Sequence, residues 1–194
     1  MLNSSRTSDV KVKPVGESQE YAMARRVVAT TAALGMLSLV VGCSGSDDQK
    51  EYDVPGALCG VPVDPDLVSP FLPSGKKIRV SETRPVPSRK ICRLDVDSKW
   101  ALMTNVEWWP EGASSATVAS GNPQLDKAQL SSDGNLYSGT GAVVLVKGCK
   151  NSHHDEQLLF TSLRVHDPDL GDVSAMKKLA AAYTGAVGRS DECA

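Results

Sequence analysis

The sequence predicts a small α+β domain in which an antiparallel sheet of about five strands packs against two or three helices and holds two disulfides. Residues 89–97 alternate apolar and polar side chains, which is the pattern of a strand with one buried face. Residues 173–187 place apolar side chains three and four positions apart, which is the stripe of an amphipathic helix. The chain has 194 residues, which is enough for one domain with a sizeable core.

The first half of the domain is assigned from turn residues and from apolar alternation. Asp64 and Pro65 predict the start of a short helix, because Asp caps helices and Pro fits their first turn. Residues 76–84 are expected to form a strand that Pro85 and Pro87 end. Residues 89–97 and 99–109 are expected to pair as a hairpin across Asp97 and Ser98.

The second half is assigned in the same way. Small and polar residues predict a loop over 110–122, and a short helix is expected over 123–130. The apolar run within residues 141–149 suits a central strand, and residues 156–166 form another strand after a polar loop. The last helix is expected to begin after the cap Asp172, to carry Val173 in its apolar stripe, and to end at Gly188.

An apolar run over residues 27–41 follows Arg25 and Arg26. Its 15 residues fall short of the roughly 20 that a membrane-spanning helix needs, and the order of positive, apolar and small residues is that of a signal peptide. The run ends in Val40-Val41-Gly42-Cys43, which resembles the lipobox of bacterial lipoproteins. In that family the cysteine receives a diacylglyceryl group and a peptidase cuts before it. The resemblance implies lipid on Cys43 and an address at the extracytoplasmic face of the cell membrane.

This resemblance divides the chain into four segments. Residues 1–22 are neutral overall, unlike the start of a signal peptide, so we expect either a true start at Met23 or a cleaved, unstructured extension. Residues 23–42 are the expected signal peptide. Residues 43–54 are polar and acidic and are expected to form a flexible, lipidated tether. Residues 55–194 are then a single extracytoplasmic domain.

Four cysteines remain beyond Cys43, and an even number in an exported chain favours two disulfides. Three pairings are open, and we favour Cys59–Cys92, which joins the entry of the domain to the hairpin, and Cys149–Cys193, which joins the end of the last helix to the expected central strand. No closely spaced pair suggests a metal or redox site. The lipobox, acidic tether and cysteine positions are similar to those of small two-disulfide lipoproteins of unknown function from high-GC Gram-positive bacteria.

The charge balance argues against a nucleic acid as partner. The chain holds 21 basic and 23 acidic residues, and the part from residue 43 onward holds 16 basic and 20 acidic, a net charge of −4. Nucleic-acid-binding domains favour basic patches, so this domain has no electrostatic reason to seek DNA or RNA. The expected contacts are the membrane, through the covalent lipid, and an envelope protein or a small-molecule ligand.

Several groups of reactive side chains occur, but none makes a convincing catalytic or metal-binding set. The groups are His153, His154 and His166 for a metal; Asp167, Asp169 and Asp172 for calcium; Ser174 and Lys177 as a nucleophile pair; and Ser138 to Gly141 as a phosphate loop. The histidines lie at opposite ends of a predicted strand, the aspartates suit a helix start, the Ser-Lys pair lacks its partner motifs, and the loop lacks a lysine. We therefore expect no catalytic residue, metal or cofactor.

Trp108 and Trp109 are neighbours on a predicted strand, so their side chains should point to opposite faces of the sheet. One is then expected in the core, and the other is exposed or covered by a loop, a helix or a partner. Exposed indole suits sugars, lipids and protein contacts, so the pair is a candidate binding surface. The sequence favours a non-catalytic binding or interaction module of unknown ligand. The alternatives are a small cell-envelope hydrolase and a structural or assembly factor of an envelope complex.

Overall fold

The computed structural model describes residues 49–120, 122, 125 and 127–194, so the lipobox and the signal peptide lie outside the described residues. Nine strands and three α-helices occur in the described ranges, which confirms the α+β class but exceeds the five strands expected. The strands are β1 (Ala57–Leu58), β2 (Val61–Pro62), β3 (Ile78–Val86), β4 (Arg89–Val96), β5 (Lys99–Pro110), β6 (Gln129–Leu130), β7 (Leu136–Tyr137), β8 (Gly141–Leu145) and β9 (Gln157–Val165). The helices are α1 (Pro65–Val68), α2 (Ser115–Ala119) and α3 (Val173–Val187).

Seven of the strands form one antiparallel sheet in the order β3-β4-β5-β9-β8-β7-β6, while β1 and β2 form a separate hairpin. The strands β3, β4 and β5 follow one another in sequence, and β9 then returns to pair with β5 from Leu102–Val165 to Pro110–Gln157. The central position therefore belongs to β9. The strand β8, which the apolar run predicts to be central, is the interior strand beside it, because β9 inserts between β5 and β8. Every pairing within this sheet is antiparallel.

The predicted hairpin between β4 and β5 is confirmed. Asp97 and Ser98 both have positive φ, 47° and 69°, which is the two-residue turn that matches the twist of paired strands. The strand β3 differs from expectation, because it continues through Pro85 to Val86. Pro85 is tolerated there because β3 is at the edge of the sheet and its register shifts between Thr83 and Val86.

The main core lies between the sheet and α3. The side chain of Asp172 accepts a hydrogen bond from the backbone N–H of Ala175 (2.7 Å), so the predicted cap and helix start are confirmed. Met176, Leu179 and Tyr183 are fully buried under the sheet. Val173 was expected in the same stripe, but it is 48% exposed because it lies in the first turn, at the margin of the sheet.

A second, smaller core covers part of the opposite face of the sheet. The hydroxyl of Ser114 caps α2 by accepting from the N–H of Thr117 (3.1 Å), so the loop expected over 110–122 contains a helix. The buried members of this core are Val118, Ala119, Leu125, Leu136, Val143 and Phe160. The helix expected over 123–130 does not reach its predicted end, because Gln129–Leu130 form β6; positions 123, 124 and 126 lie outside the described residues.

Replacing Gly141 by alanine is expected to destabilise the domain by about 1–3 kcal/mol. A Cβ atom at this position would collide with the side chain of the buried Leu125 and would lie 3.0 Å from the carbonyl oxygen of Leu163. Thermal unfolding of the variant measures the loss. Gly56→Ala is the matched control, because a Cβ there meets nothing within 4 Å. Equal melting temperatures for the two variants would contradict the proposed contact.

Both favoured disulfides are present, Cys59–Cys92 and Cys149–Cys193. The second one ties the C-terminal turn, Asp191–Cys193, to the segment that follows β8. In the same turn, Glu192 pairs with Arg84 of β3 (3.1 Å) and with Lys90 of β4 (3.4 Å). The end of the chain is thus joined to the sheet by one covalent bond and two ion pairs.

The domain begins earlier than residue 55. Lys50 forms a parallel bridge with Gly75, and its ammonium group donates to the carbonyl oxygen of Ser69 (2.7 Å). The hydroxyl of Tyr52 donates to the carbonyl oxygen of Pro73, and the ring packs against the core. The flexible tether predicted over 43–54 therefore does not extend through residues 50–54. Within the part of the chain that the structure covers, no helix is both long and apolar enough to cross a membrane.

Candidate functional site: a polar face of the sheet

The face of the large sheet that is opposite α3 carries different side chains over its two halves. Over β7, β8 and the adjoining part of β9, apolar side chains meet α2 and Leu125. Over β4, β5 and the other part of β9, the side chains on this face are mostly polar or charged, as the strand registers place them. We call this region the polar face. Its members are Arg89, Ile91, Arg93, Met103, Asn105, Glu107, Ser162 and Arg164.

A buried carboxylate organises one side of the polar face. The side chain of Glu107 is 9% exposed, and one of its oxygens forms an ion pair with Nε of Arg89, its cross-strand neighbour. The indole N–H of Trp109 donates to the other carboxylate oxygen (3.0 Å). Because both oxygens are engaged, Glu107 holds Arg89 and Trp109 in fixed positions.

Arg164 lies near the centre of the polar face. One of its terminal nitrogens lies 2.7 Å from the sulfur of Met103 on the neighbouring strand. Burial lowers the pKa of the Arg164 guanidinium, the charge of Glu107 raises that pKa and the charge of Arg89 lowers it, so all three groups sense one another. An arginine remains charged under such conditions, so Arg164 is a half-buried cation.

Two buried polar atoms on this face have no hydrogen-bond partner among the described residues. They are the side-chain oxygen of Asn105, a residue that is 5% exposed, and Nε of Arg164. Buried polar groups nearly always have partners, and leaving one unpaired costs about 1–3 kcal/mol. Among the described residues, this face therefore has one unpaired acceptor and one unpaired donor.

The polar face is positive although the domain is acidic. It carries Arg89, Arg93 and Arg164 against Glu107, and Arg93 also pairs with Asp95 at the end of β4 (2.6 Å). Guanidinium groups bind carboxylate and phosphate groups through paired hydrogen bonds. The arrangement therefore suits recognition of an anionic group, and it offers no nucleophile with an adjacent base.

The structure separates the two tryptophans. Trp108 is 7% exposed within the main core, and its ring stacks on His154 with 4.5 Å between ring centroids. Trp109 is half-buried, packs against the second core and donates to Glu107. The two indoles lie on opposite faces, as alternation predicts, so they do not form one common binding surface.

The structure separates His166 from the loop that holds His153 and His154. Nδ1 of His154 lies 2.7 Å from the side-chain oxygen of Gln157, whereas His166 lies against Trp100 with 4.4 Å between ring centroids. Trp100 and Trp108 are at opposite ends of β5, so the two histidines are as well. In the ranges that the structure covers, no three His, Cys, Asp or Glu side chains come close enough to hold a metal.

The other candidate groups have structural roles. The side chain of Asp167 accepts from the N–H of Asp169 (3.0 Å) to cap a short 3-10 helix, just as Asp172 caps α3. Ser174 is exposed, while the ammonium of Lys177 lies 5.4 Å from the centre of the Tyr137 ring.

The segment Ser138 to Gly141 is the turn from β7 into β8, where the N–H of Ser138 donates to the carbonyl oxygen of Gly141 (2.7 Å). Ser138 and the two residues after it line an open cleft of about 620 Å³ together with Tyr137 and His166. The segment is a turn into β8, as the sequence predicts, although β8 lies beside the central strand and is not itself central.

Sequence reasoning missed the polar face. A signal for it was present, because Met103, Asn105 and Glu107 alternate with the apolar side chains of β5 and so mark a face that is not fully covered. Arg164 gave no such signal, because its place beside Met103 depends on the pairing of β9 with β5.

No family model, no curated protein and no solved structure matches this chain. The chemistry of the polar face and the lipobox-like segment are therefore the grounds on which a function is proposed.

Proposed function

We propose that this chain is a lipid-anchored, extracytoplasmic binding module without catalytic activity of its own, and that it contacts its partner through the polar face. The observation that carries the proposal is a pair of buried atoms, Asn105 Oδ1 and Arg164 Nε, that have no partner among the described residues and lie on the part of the sheet face outside the second core. A hydrolase is not favoured, because the candidate histidines lie at opposite ends of β5.

The cysteines support the extracytoplasmic part of this proposal. Two disulfides suit an oxidising compartment, and they leave Cys43 as the cysteine for lipid attachment. Lys50, the first residue bonded to the domain, follows Cys43 by seven positions, which span at most about 25 Å when fully extended. A lipid on Cys43 would thus keep the domain close to the membrane surface.

Replacing Cys43 by alanine is expected to release the protein from the membrane. The thiol is the site at which the acyl chains would be attached, and one buried CH₂ group contributes about 0.8 kcal/mol to membrane binding. Fractionation of cells that express the variant, with mass spectrometry of the unaltered protein as control, measures the effect. An unaltered protein whose mass shows an intact N-terminus without lipid would contradict the anchor.

Photo-crosslinking in intact cells tests the binding surface. A photoreactive side chain at Thr83, which is exposed on β3 opposite Ile91, is expected to give a discrete adduct with the partner. The same side chain at Ala181, exposed on α3, is the matched control and is expected to give none. The adduct should disappear when Arg93→Gln is added. Adducts of equal yield from both positions, or an adduct that survives Arg93→Gln, would contradict binding through the polar face.

A further inference from the structure

We infer that the polar face recognises an extended segment of a partner protein that carries carboxylate side chains in an acid-x-acid pattern. This inference rests on the proposed binding function and adds to it the chemical class of the partner. It follows from the charge of the face, from the kind of hydrogen bond that its unpaired atoms require, and from the spacing of its arginines.

The charge of the face favours an acidic partner. Arg89 is already paired with Glu107, whereas Arg164 has no ion pair among the described residues, and Arg93 pairs only with Asp95 at the margin of the face. The side chain of Arg93 is 43% exposed, so its guanidinium is accessible to a ligand. These cations lie on a domain whose net charge is −4, so the polar face is the region where an acidic segment meets least repulsion.

The hydrogen-bonding groups favour a peptide over a phosphate polymer. The unpaired oxygen of Asn105 needs an N–H or O–H donor, and the unpaired Nε of Arg164 needs an acceptor. An extended peptide with carboxylate side chains offers both, because its backbone donates while its side chains accept. Phosphodiesters supply acceptors alone, and a high density of negative charge would also meet Glu107 and Asp95 on or beside the face.

The strand register sets the spacing of the carboxylates. Met103 on β5 lies opposite Arg93 of β4 on one side and opposite Arg164 of β9 on the other. The two arginines are therefore two strands apart, about 10 Å between their backbones. Alternate side chains of an extended peptide point to the same side about 7 Å apart, and the length of Arg and Glu side chains covers the remainder. A peptide that crosses the strands would place the x position of the pattern over Met103.

Fluorescence anisotropy of a labelled decapeptide with the repeat Glu-Thr tests the inference on the mature protein, purified from membranes in detergent. The matched probe has Gln in place of Glu. We expect the Glu-Thr peptide to bind, and we expect its affinity to fall at least tenfold in Arg164→Gln and in Arg93→Gln and to weaken with added salt. Arg189→Gln removes an exposed arginine at the end of α3 and is expected to leave binding unchanged.

Circular dichroism of each variant checks that it is folded. If Arg164→Gln is unfolded, Arg93→Gln alone provides the binding test. Absence of Glu-Thr binding, equal binding of the Gln-Thr peptide, or equal binding of inorganic polyphosphate of the same charge would overturn the inference. Crosslinking from Thr83 distinguishes a failure of the proposed binding function from a failure of the inferred carboxylate recognition. If that adduct forms while the acidic peptide does not bind, the binding module stands and carboxylate recognition is wrong.

Discussion

Replacing Cys149 and Cys193 together by alanine is expected to lower the free energy of unfolding by about 4 kcal/mol. The bond closes a loop of 44 residues, and a loop of this length restricts the unfolded chain by that amount in the chain-entropy description. The folded state also loses order, because the same bond holds Glu192 beside Arg84 and Lys90. Such a loss is a large fraction of the stability of a domain of this size.

Urea unfolding of the purified double variant, followed by circular dichroism, measures the effect. Glu192→Gln is the control for the ion pairs, and it is expected to cost about 1 kcal/mol, well below the loss from the disulfide, because Arg84 is largely exposed while Glu192 and Lys90 are only partly buried. A double variant that unfolds at the same urea concentration as the unaltered protein would show that the C-terminal turn is held without the disulfide.

The domain is also expected to lose about 3 kcal/mol of stability between about pH 10 and pH 12 through Tyr183 alone. Burial raises the pKa of this phenol to about 12 from its ordinary value of 10.0. The unfolded chain therefore ionises Tyr183 at a lower pH than the folded domain does. The stability that the neutral phenol contributes is complete below pH 10 and is lost as the pH rises through the folded-state pKa.

The variant Tyr183→Phe isolates this effect. At neutral pH it is expected to be about 1 kcal/mol less stable, because the buried hydroxyl of Thr104 loses its partner at 2.8 Å. In alkali its free energy of unfolding should fall less steeply than that of the unaltered protein. The titration of Tyr52 and Tyr137 occurs in both proteins and cancels when the two are compared. Urea unfolding at about pH 9 and about pH 11.5 gives the comparison. Parallel pH profiles would mean that Tyr183 does not ionise on unfolding.

The elements that the sequence predicts well are those with a local cause. The turn at Asp97 and Ser98 and the cap at Asp172 depend on residues within a few positions, and both are found where expected. The strands β6 and β7 have two residues each, which is too short for an alternating pattern to be visible. The helix α2 has five residues, and its stability depends on burial of Val118 and Ala119 against a sheet that the local sequence does not reveal.

The polar face depends on contacts between distant parts of the chain. Met103 and Arg164 are 61 positions apart and meet only because β9 inserts between β5 and β8. The tryptophans were the more conspicuous feature of the sequence, yet Trp108 belongs to the core and Trp109 supports Glu107. The tryptophan pair can be recognised from residue type alone. The positions of the arginines on the polar face can be recognised only once the strand order is known.

The two edges of the large sheet bear on how copies of this protein would behave if, as proposed, lipid anchors hold them side by side on a membrane. Anchored copies would meet one another at high local concentration, where an unpaired strand edge invites sheet-to-sheet aggregation. The edge strand β3 exposes Val80 and Val86, but it also carries charged side chains and Pro85, which has no N–H to offer. The opposite edge is β6, with only two residues. Both edges are poor templates for a neighbouring strand, so dense arrays of this protein are expected to remain dispersed.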